Sequence, residues 1–391
     1  MASIQKRVSD GRTAYRVRWR DPTGRQVSRQ FPTLALARAH QSTIEADLLR
    51  GTYLDLSRGQ MTLAEYAEEW LAVQTCGATT LERRVRNVRL HVLPMLGHHR
   101  LANIRPTLVQ AWIRGRSEHL SPRTVRELMR LLSSILGAAV DDERIAKNPC
   151  KSASVRAPKP DDTPLVPWTP EQIGALRLEL RDRYRLILTL ATGLGLRQGE
   201  IFALGVEDVD FLRRVVTVRR QVIILHSRMY FSLPKGRKVR TVPLPESVAN
   251  EIAAHLQAFP AKQVSLPMGG PEAPLETTHL ILTSPTGKAL NRNYVNPTVW
   301  KPALQRAGLP TTRDFMTHGG RHFYASLQLE NGISPRALAD YMGHKDPAFM
   351  MRVYTHLMPG AGAKAQAAVD GLFAKLISPG EGRGPAKVGI S

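Results

Sequence analysis

A proline-rich stretch, NPCKSASVRAPKPDDTPLVP at residues 148–167, separates two regions of the sequence that have strong secondary-structure patterns. Its proline, serine and charged residues are typical of a linker between domains. We therefore predict a linker over residues 150–167, with domains that fold separately on either side of it. A chain of 391 residues is long enough for roughly two to four domains.

Residues 1–58 have the pattern of a small β-sheet followed by a helix. In AYRVRWRDPTGRQVSRQF, apolar residues alternate with Arg16, Arg18 and Arg20, and DPTG supplies a turn. The period of two places the three arginines on one face of a β-hairpin, and a helix over about residues 34–50 would cover the other face. The arginine face is either a DNA-contacting surface or a solvated basic face. The positive charge of the chain favours DNA contact.

Residues 61–149 have the pattern of an α-helical domain. Thr62 and Glu65 form a T-x-x-E capping box that begins one helix, and Ser121 with Pro122 begins another. Apolar residues at helical spacing follow this second start. They are Leu128, Leu131, Leu132, Ile135 and Leu136. We predict roughly four or five helices here, with many exposed arginines.

Residues 168–377 combine helices with a cluster of strands. Thr169 and Gln172 in WTPEQIGAL form the capping box of a helix. RRVVTVRRQVIIL, MYFSLPK and KVRTVPL have the composition of strands. Residues 378–391 are predicted to be a flexible tail. The predicted fold class is therefore multidomain and mainly α, with a mixed α+β third domain.

The net charge of +22 predicts a polyanionic partner, with nucleic acid first and an anionic membrane surface second. The sequence has no run of about 18 apolar residues, so we expect no membrane-spanning helix. The charged start MASIQKRVSD predicts no signal peptide. Two cysteines do not make a disulfide scaffold, and no CxxC or HExxH metal motif is present. We expect a protein of the cytoplasm.

Four stretches of the third region contain residues suited to phosphoryl transfer. They are Arg197 and Glu200 in TGLGLRQGE, Lys235 in SLPKGRKVRTVPL, His318 and Arg321 in THGGRHFYAS, and His344 and Tyr354 in YMGHKDPAFMMRVYTH. We expect Arg197 to follow an apolar helix and Lys235 to lie at the tip of a β-hairpin. The i, i+3 spacing places His318 and Arg321 on one helix face. Taken alone, each residue is more often structural than catalytic.

Together, these residue types could cleave a phosphodiester without a metal ion. Two arginines and one or two histidines can neutralise a pentacoordinate phosphorane. A tyrosine can attack phosphorus, although its phenol is a weak nucleophile at its ordinary pKa of about 10. A lysine or a histidine can protonate the departing 5′ oxygen.

On these residues, the third region resembles the catalytic domain of the tyrosine recombinase, or phage integrase, family. Residues 61–149 resemble the family's core-site-binding domain, and residues 1–58 resemble the arm-site-binding domain of its larger members. The family usually has leucine where Gly319 or Gly320 stands, and often threonine where Met350 stands. Glycine costs about 1 kcal/mol in a helix, so the pair predicts a looser or bent turn. No catalytic side chain is lost.

The resemblance implies a role for each residue of the set. Tyr354 is the nucleophile that forms a 3′-phosphotyrosine, Arg197 and Arg321 hold the non-bridging oxygens with help from His344, Lys235 is the general acid, His318 is the acid–base partner of the tyrosine, and Glu200 orients nearby groups. No metal or cofactor is implied. The alternatives are an inactive DNA-binding relative that acts as a regulator, and a type IB topoisomerase. The separate arm-like module favours recombination.

The resemblance also implies partners. They are double-stranded DNA with core and arm attachment sites, a homotetramer on that DNA, a host DNA-bending factor and an excisionase, and we expect association with the nucleoid. In GAKAQAAVDGLFAKLIS, an apolar stripe at residues 369–377 predicts a short helix after the nucleophile. This helix docks either on its own domain or, as the resemblance suggests, on a neighbouring protomer.

Overall fold

The structure is a computed structural model, and it describes residues 2–9, 12–21, 24–50, 60–160, 166–344 and Gln366. The chain divides into two compact units, residues 1–163 and 164–391. The predictions for Tyr354, for Met350, for the apolar stripe at 369–377 and for the tail at 378–391 fall on residues outside those described. Across the described part of the chain, no helix has the length and apolar character that crossing a membrane requires.

The N-terminal module is a three-stranded antiparallel sheet with one helix packed on it. Its elements are β1 (Ser3–Ser9), β2 (Arg12–Arg20), β3 (Gln26–Phe31) and α1 (Leu34–Leu49), with the strands in the order β1-β2-β3. The sequence pattern predicts the β2–β3 hairpin and the helix, and β1 adds a strand that it does not predict. The period of two in β2 buries Val17 and Trp19 in a core with Ala37 and Ile44 of α1.

The rest of the first unit is α-helical. Its helices are α2 (Leu63–Ala72), α3 (Ala78–Asn87), α4 (Leu93–Leu96), α5 (Pro106–Ser117) and α6 (Pro122–Asp141). The predicted capping box of Thr62 and Glu65 is present, and Ser121 caps α6. Cys150 and Val155 are buried in the core of these helices. The chain therefore leaves this core later than residue 150, where we place the start of the linker.

The second unit contains both helices and strands. Its helices are α7 (Pro170–Glu179), α8 (Asp182–Gly193), α9 (Gln198–Phe202), α10 (Glu246–Ala258), α11 (Arg292–Val295), α12 (Lys301–Arg306), α13 (Thr317–Glu330) and α14 (Pro335–Met342). The predicted capping box of Thr169 and Gln172 begins α7. The apolar helix α8 lies in the core and packs against α13. The indole nitrogens of Trp168 and Trp300 donate to backbone carbonyls just before α13, each at 2.9 Å.

The strands of the second unit pair differently from the prediction. They are β4 (Val209–Asp210), β5 (Val215–Val218), β6 (Gln221–Leu225), β7 (Arg228–Ser232), β8 (Arg240–Pro243), β9 (Lys262–Pro267) and β10 (Leu275–Leu280). The sheets are β4-β5-β8, β6-β7 and β9-β10. β7 pairs with β6 because His226 and Ser227 both adopt positive φ in a two-residue turn. Lys235 therefore lies on a connection between two sheets, and its prediction at a hairpin tip is wrong.

Candidate active site

Arg197 and Glu200 lie where the chain turns from α8 into α9. Gly195 adopts a left-handed φ of 62°, and Arg197 is the N-cap residue of α9. Glu200 accepts hydrogen bonds from the backbone N–H of Arg197 at 2.9 Å and from its Nη1 group at 2.8 Å. The carboxylate is fully buried, whereas 18% of the Arg197 side chain is exposed. Glu200 therefore fixes a guanidinium that still reaches the surface.

Arg321 is among the largest fully buried side chains of the described residues. It extends from α13, and its Nη1 group donates to the carbonyl of Gly195. Its Nη2 group donates to the carbonyl of Met342 and lies 3.1 Å from Nε2 of His344. Arg197 reaches the same segment through its own Nη2 group. The structure thus brings Arg197, Arg321 and His344 together.

Arg240, which is not among the site residues predicted from the sequence, lies buried beside these residues. Its two terminal nitrogens donate to the carboxylate oxygens of Glu200 at 3.0 and 2.7 Å. Burial by itself raises the pKa of Glu200, but Arg240 and then Arg197 outweigh it and lower the pKa to about 2. The period of two in KVRTVPL offers a clue, because it places Arg240 on the same buried face as Val242.

Two histidines share one face of α13. The rings of His318 and His322 meet edge to face, with centroids 4.6 Å apart. His318 is exposed, whereas His322 and His344 are half-buried. Each ring loses hydration where it lies against the protein, and this desolvation, together with the positive charge of Arg321, lowers the pKa of all three imidazoles. The rings are therefore neutral at pH 7. His322 is not among the site residues predicted from the sequence, although its i, i+4 spacing from His318 is visible in THGGRH.

The prediction of a looser turn at Gly319 and Gly320 is wrong, because α13 continues through both positions. A Cβ atom at Gly319 would lie 2.0 Å from the carbonyl oxygen of Asp314 and 2.6 Å from the ring of Trp168. At Gly320 it would lie 3.1 Å from Cβ of Ala191 on α8. The missing side chains therefore allow α13 to pack closely, which offsets the low helix propensity of glycine.

Lys235 is exposed on the connection between β7 and β8. It lines a cavity of about 390 Å³ together with His344. The other lining residues are Gly236, Lys238, Arg336, Ala339, Asp340 and Gly343. Lys238 and Arg336 form ion pairs with Asp340, at 3.4 and 3.6 Å. The structure thus places Lys235 on the cavity that His344 borders, while Tyr354 lies outside the described residues.

Arg16, Arg18 and Arg20 lie on the face of β2 opposite the buried Val17 and Trp19. Arg16 and Arg18 are half-buried, and Arg20 is exposed. The strand register places serine and glutamine beside them, and none of the described strand residues on this face is acidic. The neighbours are Ser3, Gln5, Gln26, Ser28 and Gln30. This surface, the arginine face, offers donors to an anion without a competing carboxylate.

Comparison with known proteins finds a family model that matches part of each unit. The sequence model of the Phage integrase family matches residues 169–360, and the model "Phage integrase, N-terminal SAM-like domain" matches residues 62–115. A "Tyrosine recombinase XerC-like" protein of Caldanaerobacter subterraneus is 29% identical over 268 residues, which cover 65% of this chain and 67% of the relative. The integrase of Mycobacterium phage L5 is 27% identical over 298 residues, which cover 75% and 74%.

Solved structures show the same fold. The Tn1549 transposon integrase in complex with transposon right end DNA has a TM-score of 0.66 at 22% identity, over 80% of this chain and 100% of that chain. The lambda integrase tetramer bound to a Holliday junction has a TM-score of 0.58 at 17% identity, over 86% and 91%. The multidomain, mainly α fold class is thus confirmed. On the family matches and the named relatives, the chain belongs to the phage integrase family and is a tyrosine-type site-specific DNA recombinase.

Proposed function

We propose that this recombinase cuts and rejoins DNA through a phosphate esterified to Tyr354. The observation that supports this most directly is the convergence of Arg197, Arg321 and His344 at one turn, although they lie far apart in the sequence. Tyr354 follows His344 by ten positions in the sequence. A nucleophile close to that turn would find two guanidinium groups already held in place.

The proposed step conserves the phosphoester bond. The phenolic oxygen of Tyr354 attacks phosphorus, the bond from phosphorus to the 5′ oxygen breaks, and a 3′-phosphotyrosine with a free 5′-hydroxyl results. The phenol proton passes to His318, whose neutral ring can accept it, and Lys235 protonates the 5′ oxygen. The 5′-hydroxyl of a partner strand reverses the step. The process needs no cofactor, because the phosphotyrosine ester replaces the bond that was cut.

His344 acts in this proposal as a hydrogen-bond donor to the phosphate. A guanidinium has only donors, so Nε2 of His344, 3.1 Å from Nη2 of Arg321, must accept. The lowered pKa keeps this ring neutral, which places its single proton on Nδ1. Arg197 and Arg321 supply the positive charge at the non-bridging oxygens. No group of three or more His, Cys, Asp or Glu side chains within the described ranges could hold a metal ion.

We propose that three parts of the chain bind DNA at two distances from the cut. In this proposal, residues 61–149 and 168–377 bind the core site, and the arginine face of residues 1–58 binds a distal arm site. The lambda integrase structure is a tetramer on a Holliday junction, and we propose a homotetramer on DNA here too. Integration and excision of a mobile element such as a prophage, a host DNA-bending factor, an excisionase and a nucleoid location belong to the same proposal.

Trapping of a covalent adduct tests the nucleophile. With a nicked core-site DNA whose cut product diffuses away, the wild-type protein should form a protein–DNA adduct in the presence of EDTA. Tyr354→Phe should bind the DNA normally and form no adduct, because one oxygen is removed. Tyr341→Phe, a half-buried tyrosine on α14, is the control and should form the adduct.

An adduct from Tyr354→Phe at the wild-type level would place the nucleophile elsewhere. Absence of any wild-type adduct would favour the inactive, regulatory alternative. Exchange of strands between two defined sites, as against relaxation of supercoils alone, separates a recombinase from a topoisomerase.

A further inference from the structure

Three consecutive carbonyl groups at the C-terminal end of α14 each accept a hydrogen bond from a different arginine. The pairs are Arg240 Nε with Tyr341 at 2.7 Å, Arg321 Nη2 with Met342, and Arg197 Nη2 with Gly343 at 3.2 Å. Carbonyls at this end of a helix lack partners within the helix and carry its negative pole. The end of α14 is therefore held by three positive charges.

The backbone closes this end of the helix with a left-handed turn. Gly343 adopts a left-handed conformation, with φ 63° and ψ 45°, and the N–H of His344 donates back to the carbonyl of Ala339 at 2.8 Å. A Cβ atom at Gly343 would lie 3.2 Å from Cδ of Arg240. His344 is the next residue along the chain, so its position follows from this turn.

Arg240 differs from the other two arginines in how its guanidinium is paired. All three of its nitrogens donate to acceptors of the protein, two of them to the buried carboxylate of Glu200, and only 4% of its side chain is exposed. It joins two elements of the site, because it donates to both carboxylate oxygens of Glu200 and to the Tyr341 carbonyl. Glu200 in turn fixes Arg197. One buried guanidinium therefore connects the turn before α9 with the end of α14.

We propose that Arg240 is a positioning residue of the recombinase, which holds the end of α14 on Glu200 and so aligns Arg197 with His344 at the reacting phosphate. The inference rests on the proposed function. The simpler alternative is a buried ion pair that contributes only to folding. The two differ in outcome, since a misplacement of about 1 Å at a reacting centre can cost about 100-fold in rate, whereas a folding defect lowers only the amount of active protein.

Arg240→Met and the paired variant Glu200→Gln, Arg240→Met test the proposal. Removal of one buried partner should destabilise the chain, and removal of both should recover much of that loss, because no uncompensated charge stays behind. We expect both variants to bind core-site DNA within about 3-fold of wild type. Single-turnover adduct formation, corrected for the folded fraction, should fall by about 100-fold in both.

Arg220→Met is a matched control. Arg220 is also buried in the second unit and is paired with Asp208, Glu207 and Glu276, none of which belongs to the site. This variant should lose stability, while the fraction that stays folded forms adduct at the wild-type rate.

The acid dependence of adduct formation gives a second readout. As the pH is lowered, Arg240→Met should lose adduct formation at a higher pH than wild type does, because Glu200 loses the partner that keeps it ionised.

A paired variant that recovers its stability and cleaves at the wild-type rate would show that Arg240 only stabilises the fold. An Arg240→Met protein whose adduct rate and acid dependence equal those of Arg220→Met would show the same. Either result leaves the proposed function intact if wild type still forms its adduct through Tyr354. Loss of the wild-type adduct would instead overturn the proposed function first.

Discussion

Gly319 and Gly320 show how much one missing methyl group decides at the residue scale. Gly319 lies against the backbone of Asp314, which cannot shift to make room for a side chain, whereas Gly320 faces the side chains of Ala191 and Thr192 on α8. The contact that a Cβ atom would make is 2.0 Å at the first position and 3.1 Å at the second. The steric requirement for glycine is therefore much stricter at position 319 than at position 320.

Gly319→Ala should lower the free energy of unfolding by about 3 kcal/mol, because the added carbon overlaps a backbone oxygen. Gly320→Ala is the matched control. Its crowding is small and alanine favours the helix, so its change should stay within about 1 kcal/mol. Urea unfolding of both full-length variants measures the difference. Equal effects at the two positions would show that helix propensity, not packing, decides here.

Glu200 predicts an acid dependence of stability. Its pKa falls from an ordinary value of 4.5 to about 2 in the folded chain. The unfolded chain therefore takes up the proton first, so the stabilisation is complete above about pH 4.5 and is lost as the pH falls toward about 2. The shift corresponds to a contribution on the order of 3 kcal/mol at pH 7.

Glu200→Gln should therefore unfold more easily than wild type by about 3 kcal/mol at pH 7, and the gap should narrow below about pH 4.5. Glu246→Gln removes an exposed carboxylate paired with Arg214 and should change stability by less than about 1 kcal/mol. Urea unfolding at several pH values gives the comparison. A gap that stays constant with pH would contradict the role of the Glu200 charge.

At the scale of elements, side chains of the sheet β1-β2-β3 alternate between two faces of different character. One face of β2 is buried against α1, and the arginine face carries only basic, amide, hydroxyl or small side chains on the described strand residues. Arginines aligned on a sheet suit a row of phosphates or the base edges of a groove. We therefore propose that the module binds a polyanion through this face.

Replacement of Arg16, Arg18 and Arg20 with glutamine should weaken binding to random-sequence double-stranded DNA and reduce its dependence on salt. Each lost phosphate contact lowers the slope of log affinity against log salt by about 0.9, so the triple variant should lose up to about 3 in slope. Glutamine at Lys6, Arg38 and Arg50 removes the same charge from other exposed positions. Equal slopes for the two triple variants would show that the arginine face is only solvated surface.

At the scale of the whole molecule, the family resemblance suggests that the apolar stripe after Tyr354 docks on a neighbouring protomer and not on its own domain. Truncation after Gly362 removes the apolar stripe, each residue of which is worth roughly 1.5–3 kcal/mol when buried. Single-site DNA binding should stay near normal, while synaptic complexes and coordinated cleavage should fall strongly. Truncation after Ile377 removes only the tail and should change neither. Native gels of protein with core-site DNA separate these species.

A Gly362 truncation that assembles as well as the full chain would contradict docking on a neighbour. A truncation that unfolds would show that the stripe packs on its own domain. The two outcomes differ in urea unfolding of the free protein, where a segment that docks only in the assembly contributes little.

Features that depend on neighbouring residues could be predicted from the sequence. The capping boxes at Thr62 and Thr169, the cap at Ser121 and the β2–β3 hairpin all appear where the pattern places them. Each is stabilised by hydrogen bonds or alternation within a few positions, so the local sequence contains the whole interaction. The candidate site residues followed from the order of motifs that the family shares.

The pairing of the strands and the hydrogen bonds that hold the site residues in place depend on the tertiary structure. The strand composition around Lys235 does not encode a partner, and β7 pairs with β6 through a turn that carries no glycine. Arg240 meets Glu200 across 40 positions, and Arg321 meets Gly195 across 126. From the sequence alone, a buried arginine in a strand cannot be told from an exposed one, because its partner carboxylate lies far away along the chain. Only the packed chain brings the two groups together, because neither can be buried alone.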